Sequence, residues 1–492
     1  LLIGAILVAI LTVPGAEPAQ AAKNVILMIA DGSGYNTWRA TDMYQGKLGK
    51  QIYDQPGWHR FSAATYPLNF LPKPTGNATQ TPLLVYDPVK AWDAAVLDGK
   101  PGNFAGYFYL QNTATDSAAA ATAMATGRKT YNNAINWSNE GQPLRGQTIA
   151  EIAKTHGKSV GVVTSVPWSH ATPAGLGGAH NESRNHYAQI ANEMLDAHWL
   201  DVILGAGNPD FDDDGQPLSE KKKRDFHYVG GPETWAALKS GRRDWTLIEK
   251  KADFEKLATG PTPPKLLGTA QVGSTLQEKR GCGRVTLPYD KVTTEPSPQE
   301  QARLPFTVTL NRNVPSLAVM TTAALNCLDD NPRGFYLMIE GGAIDWANHA
   351  HEPDRMIEEQ IDFLVALEAV AAWIDTHGGW ENTLLILTAD HETGLLWGPE
   401  SRQIAFQPLQ DRGPGKMPGM QYNSHGHSNS LVPLFVRGPG SRRFAKIAHD
   451  RDPAAHAHRD PAAAANWNTS DQYLNNIDIF AVMRAEVTET KD

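Results

Sequence analysis

The chain has 492 residues, 41% of them hydrophobic and 20% charged, the balance of a globular protein able to bury a sizeable core. Its net charge of −9 gives no support to a nucleic-acid partner held on a basic surface. Two cysteines are too few for a disulfide-built scaffold, and no zinc-finger spacing is present.

Residues 1–13 form an apolar run short for a membrane span, followed by Pro14-Gly15 and the small-residue stretch Ala19-Gln20-Ala21. This predicts a signal peptide over residues 1–21, truncated at its start, with a retained membrane anchor as the alternative. Export would permit a Cys282–Cys327 disulfide, which two cysteines do not settle. Apolar runs of strand length follow at residues 25–30, 159–164, 201–204, 335–339, 384–388 and 431–436, with helical patterns at 117–127, 148–156 and 358–376. Continuous apolar runs, rather than alternating ones, suit strands covered on both faces. The expected fold is an α/β sheet, mostly parallel, with helices on both sides. Proline, glycine and charge accumulate at about 67–112, 208–314 and 399–423, which read as insertions on a single domain over 22–492. The basic run at 221–224 reads as a solvated face.

Three of the strand candidates end in chemistry. Residues 25–30 run into Asp31, 335–339 into Glu340, and 384–388 towards Asp390-His391. In open α/β sheets ligands bind beyond the carboxyl ends of strands, so three such endings suggest one crevice. Asp116-Ser117 stands at the first turn of the helix 117–127. Unpaired N–H groups and the positive end of the helix dipole there favour an ionised serine and a phosphate. Asp345 and His349 are four apart, the spacing that puts both on one face of a helical turn. With His427 they make a nitrogen and oxygen donor set suited to zinc, with positions left for a substrate oxygen or water.

Five signatures, at residues 24–34, 115–127, 340–349, 388–394 and 427–440, resemble those of the alkaline phosphatase family, in the family's order. The resemblance implies the family's three-layer α/β fold and a secreted, metal-dependent phosphomonoesterase working through a phosphoserine on Ser117. It implies two Zn²⁺ and one Mg²⁺ per chain. One zinc would be held by Asp345, His349 and His427, the second by Asp31, Asp390, His391 and ionised Ser117, and Mg²⁺ by Asp31, Thr172 and Glu340. Arg184 falls where the family grips the substrate phosphate, as a guanidinium fork can and a lysine cannot, with Asp116 and Trp346 beside it. His427 is preferred over His425 because counting back from 431–436 gives the family spacing. Small phosphomonoester substrates, a bacterial periplasmic or secreted location, no stable membrane anchor and a homodimer belong to the same expectation.

The chain departs from the best-known bacterial pattern at His170, where some members carry Asp, and at Trp346, where they carry Lys. Both changes resemble some marine and cold-adapted members. His170 is expected to contact water on the third ion, whose identity it leaves open. The acidic stretch Asp210 to Asp214 looks like the start of a calcium loop, but its twelfth position is Lys221 rather than glutamate, so an acidic turn is the other reading. The rivals to the monoesterase are a phosphodiesterase on the same two-zinc core and a noncatalytic zinc- or phosphate-binding protein.

Overall fold

The computed structural model describes residues 21–281, 304–454 and 472–489. The expected leader, apart from Ala21, and Cys282 with its pairing lie outside them, as do the side chains of Lys223 and Arg224. The strands in chain order are β1 (Asn24–Ala30), β2 (His59–Ala64), β3 (Ser159–Pro167), β4 (Val202–Ala206), β5 (Thr246–Ile248), β6 (Leu266–Thr269), β7 (Phe335–Gly341) and β8 (Thr383–Thr388). The short β9 (Glu392–Thr393), β10 (Leu396–Trp397), β11 (Gln421–Tyr422) and β12 (His427–Ser428) follow, then β13 (Val432–Arg437), β14 (Asp450–Arg451) and β15 (Gln472–Asn475). Eleven of them make one sheet in the order β14-β15-β2-β13-β8-β1-β7-β3-β4-β6-β5. From β8 to β5 every pairing is parallel, while β13 runs antiparallel to both β8 and β2.

Side chains alternate across a strand, and β1 shows how its unbroken apolar run is used. Val25, Leu27 and Ile29 enter one core with residues of the helices Ser117–Thr126, Ile149–Thr155, Ala171–Leu176 and Asn476–Thr488. Ile26, Met28 and Ala30 enter the other, with the helices Tyr35–Gln45, Leu317–Asp329 and Pro353–Thr376. The sheet is therefore the middle of three layers. The long helix begins five residues before the pattern at 358–376 because Pro353 occupies its first turn, where the missing N–H costs nothing.

The irregular segments are partly structural. Tyr86, Phe104, Tyr107 and Leu110 from 67–112 pack with Phe406 from 399–423 in a third core. Segment 208–314 contributes β5 and β6 to the sheet edge. The acidic stretch is spent on turn bonds: Asp212 Oδ1 accepts from the N–H groups of Asp214 and Gln216, Asp210 pairs with Lys221 at 2.5 Å, and Asp213 accepts from Ser274. This is an acidic turn, and the lysine at the twelfth position neutralises the first carboxylate. Among the described residues no helix is long and apolar enough to cross a membrane.

Candidate active site

Strand register gathers the carboxylates. Ile29 pairs with Glu340 across β1 and β7 and with Thr388 across β1 and β8, while Thr164 of β3 pairs with Glu340. Asp31, Glu340 and Asp390 thus leave three adjacent strands at one level, all at most 1% exposed. Thr164 Oγ1 donates to Glu340 Oε2. Asp345 lies on the short helix Ala343–His349 that follows β7.

The helix Ser117–Thr126 is buried along its whole length, which explains its run of alanines: small side chains let it sit against neighbours on every face. Asp116 is its N-cap, with Oδ1 accepting from Ala119 N–H at 3.0 Å, and its other oxygen holds Arg184 Nη1 at 3.1 Å. One carboxylate therefore fixes both the start of the Ser117 helix and the guanidinium. Ser117 Oγ lies 3.1 Å from His391 Nε2.

Two groups of donor atoms lie within 4.8 Å of one another: Asp31, Asp390 and His391, and beside them Asp345, His427 and again His391. His349 Nε2 lies 3.3 Å from Asp345 Oδ2 and 3.0 Å from His427 Nε2. His349 Nδ1 faces the carbonyl of His425, and His427 Nδ1 faces the carbonyl of Thr115 at 2.8 Å. A carbonyl partner puts the proton on Nδ1 and turns the Nε2 lone pairs inward, the arrangement of ligating histidines. The ring of His425 is stacked on His351, with centroids 3.7 Å apart, and its Nδ1 lies 3.3 Å from the carbonyl of His349. His170 Nε2 lies 3.5 Å from Arg184 Nη2, and its ring meets Trp346 edge-on.

A family model described as alkaline phosphatase matches residues 105–483. The chain belongs to the alkaline phosphatase family. It is 33% identical to alkaline phosphatase 3 of Bacillus subtilis over 58% of this chain and 50% of that relative, so it spans half that relative's length. It is 32% identical to alkaline phosphatase H of Pseudomonas aeruginosa over 70% of this chain and 72% of that one. The structure of the alkaline phosphatase from the Antarctic bacterium TAB5 shares the fold, with a TM-score of 0.59 and 21% identity over 96% of this chain and all of that one.

The electrostatics of the site suit cations. Burial, then the carboxylates of Asp390, Asp345 and Glu340, push Asp31 well above the usual carboxylate range. Burial likewise raises Asp390 and Glu340 to about 7. Asp345 goes the other way: burial would raise it, but His349, His427 and His391 hold it well below. Asp31 Oδ1, Asp390 Oδ2, Glu340 Oε1 and Thr172 Oγ1 are buried without a hydrogen bond of acceptable geometry. Buried carboxylates crowded like this are stabilised by paired positive charge or a metal. The donors are of two kinds, the imidazoles of His349, His391 and His427 beside the carboxylate of Asp345, and the oxygen groups of Asp31, Thr172 and Glu340.

Two residues not singled out in the sequence prove central. Thr393 Oγ1 donates to Asp345 Oδ1 at 2.5 Å and lies 3.3 Å from Nδ1 of His391, the histidine common to both donor groups. Thr164 buttresses Glu340. Thr393 falls inside the signature at 388–394, which was the available signal; Thr164 is an ordinary threonine near the end of an apolar strand.

Proposed function

We propose that this chain hydrolyses phosphate monoesters through a phosphoserine on Ser117. The observation that carries the reading is the nucleophile's setting. Ser117 Oγ stands at a helix N-terminus, 3.1 Å from His391, and Arg184 is tied to the preceding Asp116. In the first half-reaction Ser117 Oγ bonds to phosphorus in line with the departing alcohol oxygen, and that ester bond breaks. In the second, water oxygen bonds to phosphorus and the phosphoserine bond breaks, releasing phosphate. Arg184 grips two phosphoryl oxygens, and the N–H groups of the first helical turn face the same charge.

Two Zn²⁺, one with Asp345, His349 and His427 and one with Asp31, Asp390 and His391, and a Mg²⁺ with Asp31, Thr172 and Glu340 would supply Lewis acidity to nucleophile, leaving group and water. Asp31 serves two of these sets. Thr164 and Thr393 hold Glu340 and Asp345 in place, and Trp346 with His170 walls the side of Arg184. Export to the periplasm and a homodimer complete the reading, supported by the apolar leader pattern and by the family resemblance.

The test is trapping. Acid quench of the metal-loaded protein with labelled substrate should leave phosphate on Ser117, and Ser117→Ala should abolish that label while keeping the fold. A phosphoprotein that persists in the variant would remove Ser117 from this role.

A further inference from the structure

We propose that Lys279 is a specificity determinant that favours phosphomonoesters whose alcohol carries a negative charge of its own. This rests on the phosphomonoesterase reading above. Lys279 belongs to none of the five signatures and comes from segment 208–314, yet its Nζ lies 4.4 Å from the ring centroid of Trp346. Trp346 meets His170 at 5.5 Å, and His170 reaches Arg184 at 3.5 Å. The Tyr187 ring lies nearly parallel to that of His170, with centroids 6.0 Å apart. A continuous wall of rings, His170 buried and Trp346 and Tyr187 half-buried, thus leads from the guanidinium proposed to hold the phosphoryl group to an exposed ammonium. Arg184 faces the transferring phosphate, so a cation further out along this wall faces what is attached to it.

The backbone beneath Lys279 is unusually fixed. Its N–H donates to Thr275 Oγ1 at 2.9 Å. The next residue, Arg280, is 1% exposed, donates to the carbonyls of Gln277, Val308 and Thr309, and pairs with Glu358 at 2.7 Å. Arg355, also buried, pairs with Glu358 at 2.8 Å and donates to the carbonyl of Arg280. The N–H of Gly281 donates to Asp214. A buried Arg–Glu–Arg triad is a weak source of net stability, but it fixes geometry, bolting this turn to the helix Pro353–Thr376 that begins four residues after His349. The turn's exposed charge is Lys279, held over Trp346 by a cation–π contact. A planar wall with a fixed cation at its outer end would hold an aromatic or extended alcohol while its anionic substituent meets the ammonium.

The experiment compares phenyl phosphate with 4-carboxyphenyl phosphate on the metal-loaded enzyme, for wild type, Lys279→Met and Lys279→Arg. The ratio of kcat/KM, charged over neutral substrate, should fall about threefold to tenfold in the methionine variant, the scale of one partly screened ion pair. The arginine variant should restore it, and molar salt should erase the difference between wild type and Lys279→Met. A ratio that does not change, or one that arginine fails to restore, overturns the proposal. A wild type that hydrolyses neither ester overturns the phosphomonoesterase reading, and this proposal with it.

Discussion

Replacing Asp116 by asparagine separates the two tasks the carboxylate performs. Asparagine is as good an N-cap as aspartate, so the bond to Ala119 N–H, and with it the start of the Ser117 helix, should survive. The other oxygen becomes an amide NH₂ facing a guanidinium held at 3.1 Å, and the charge pair is lost. Charge-assisted hydrogen bonds are worth roughly 1.5–3 kcal/mol. Arg184 and Asp116 retain side-chain exposures of 16% and 18%, so solvent screening reduces this to about 1–2 kcal/mol. An Arg184 no longer pinned should grip phosphate less well, and inorganic phosphate should weaken as a competitive inhibitor by about 5–30-fold. The assay is the inhibition constant for phosphate in wild type and Asp116→Asn, with melting temperature and metal content checked in both. The readouts divide cleanly: an unchanged melting temperature with weaker inhibition fits the two-task account. Unchanged phosphate affinity would show that Asp116 does not position Arg184, and a large loss of stability would show that its chief role is the cap.

Glu340→Gln, with the zinc donors intact, should lower kcat/KM for an aryl phosphomonoester by at least ~10²-fold, the scale of losing one charge-stabilising group. Activity on the matching diester, whose phosphoryl oxygens carry less charge, should fall much less; equal losses, or a wild type preferring the diester, would refute the monoesterase reading. Chelation should inactivate the enzyme, with Zn²⁺ plus Mg²⁺ restoring it and Mg²⁺ alone failing, because the ligands proposed at His349, His391 and His427 are nitrogens that Mg²⁺ uses poorly. Chelated protein should also respond to pH in a particular direction. Burial raises Asp390 and Glu340 from 3.8 and 4.5 to about 7, so their protonated forms favour the fold at low pH and that stability is lost as pH rises through about 7. The melting-temperature gap between loaded and chelated protein should therefore widen from about pH 5 to about pH 8, and a constant gap would contradict the crowding of these carboxylates.

What could be read in the sequence depended on whether the signal was local. Asp31, Glu340 and Asp390 could be found because each closes a run of apolar residues, and an apolar run with a carboxylate at its end has few other meanings in an α/β protein. Asp345 and His349 share one helical turn, so their spacing carried the geometry. Orientation is not local: the apolar run at 431–436 looks the same whether the strand runs with its neighbours or against them, and only the sheet shows β13 antiparallel. Short strands that open on polar residues fall below the pattern, as β2 with His59 and Arg60 and β5 with three residues do. Segment 208–314 thus reads as an interruption although it supplies both a sheet edge and Lys279. Choosing His427 over His425 needed the family spacing; the pairing of β12 with β9, which sets His427 opposite Thr393 and so near Asp345, is not visible in the sequence. Thr164, Thr393 and Lys279 share one property: each acts by supporting or extending a residue far away in the chain. Their chemistry exists only once the fold has placed them, and the departures of His170 and Trp346 from the common pattern acquire a purpose only when Lys279 stands beside them.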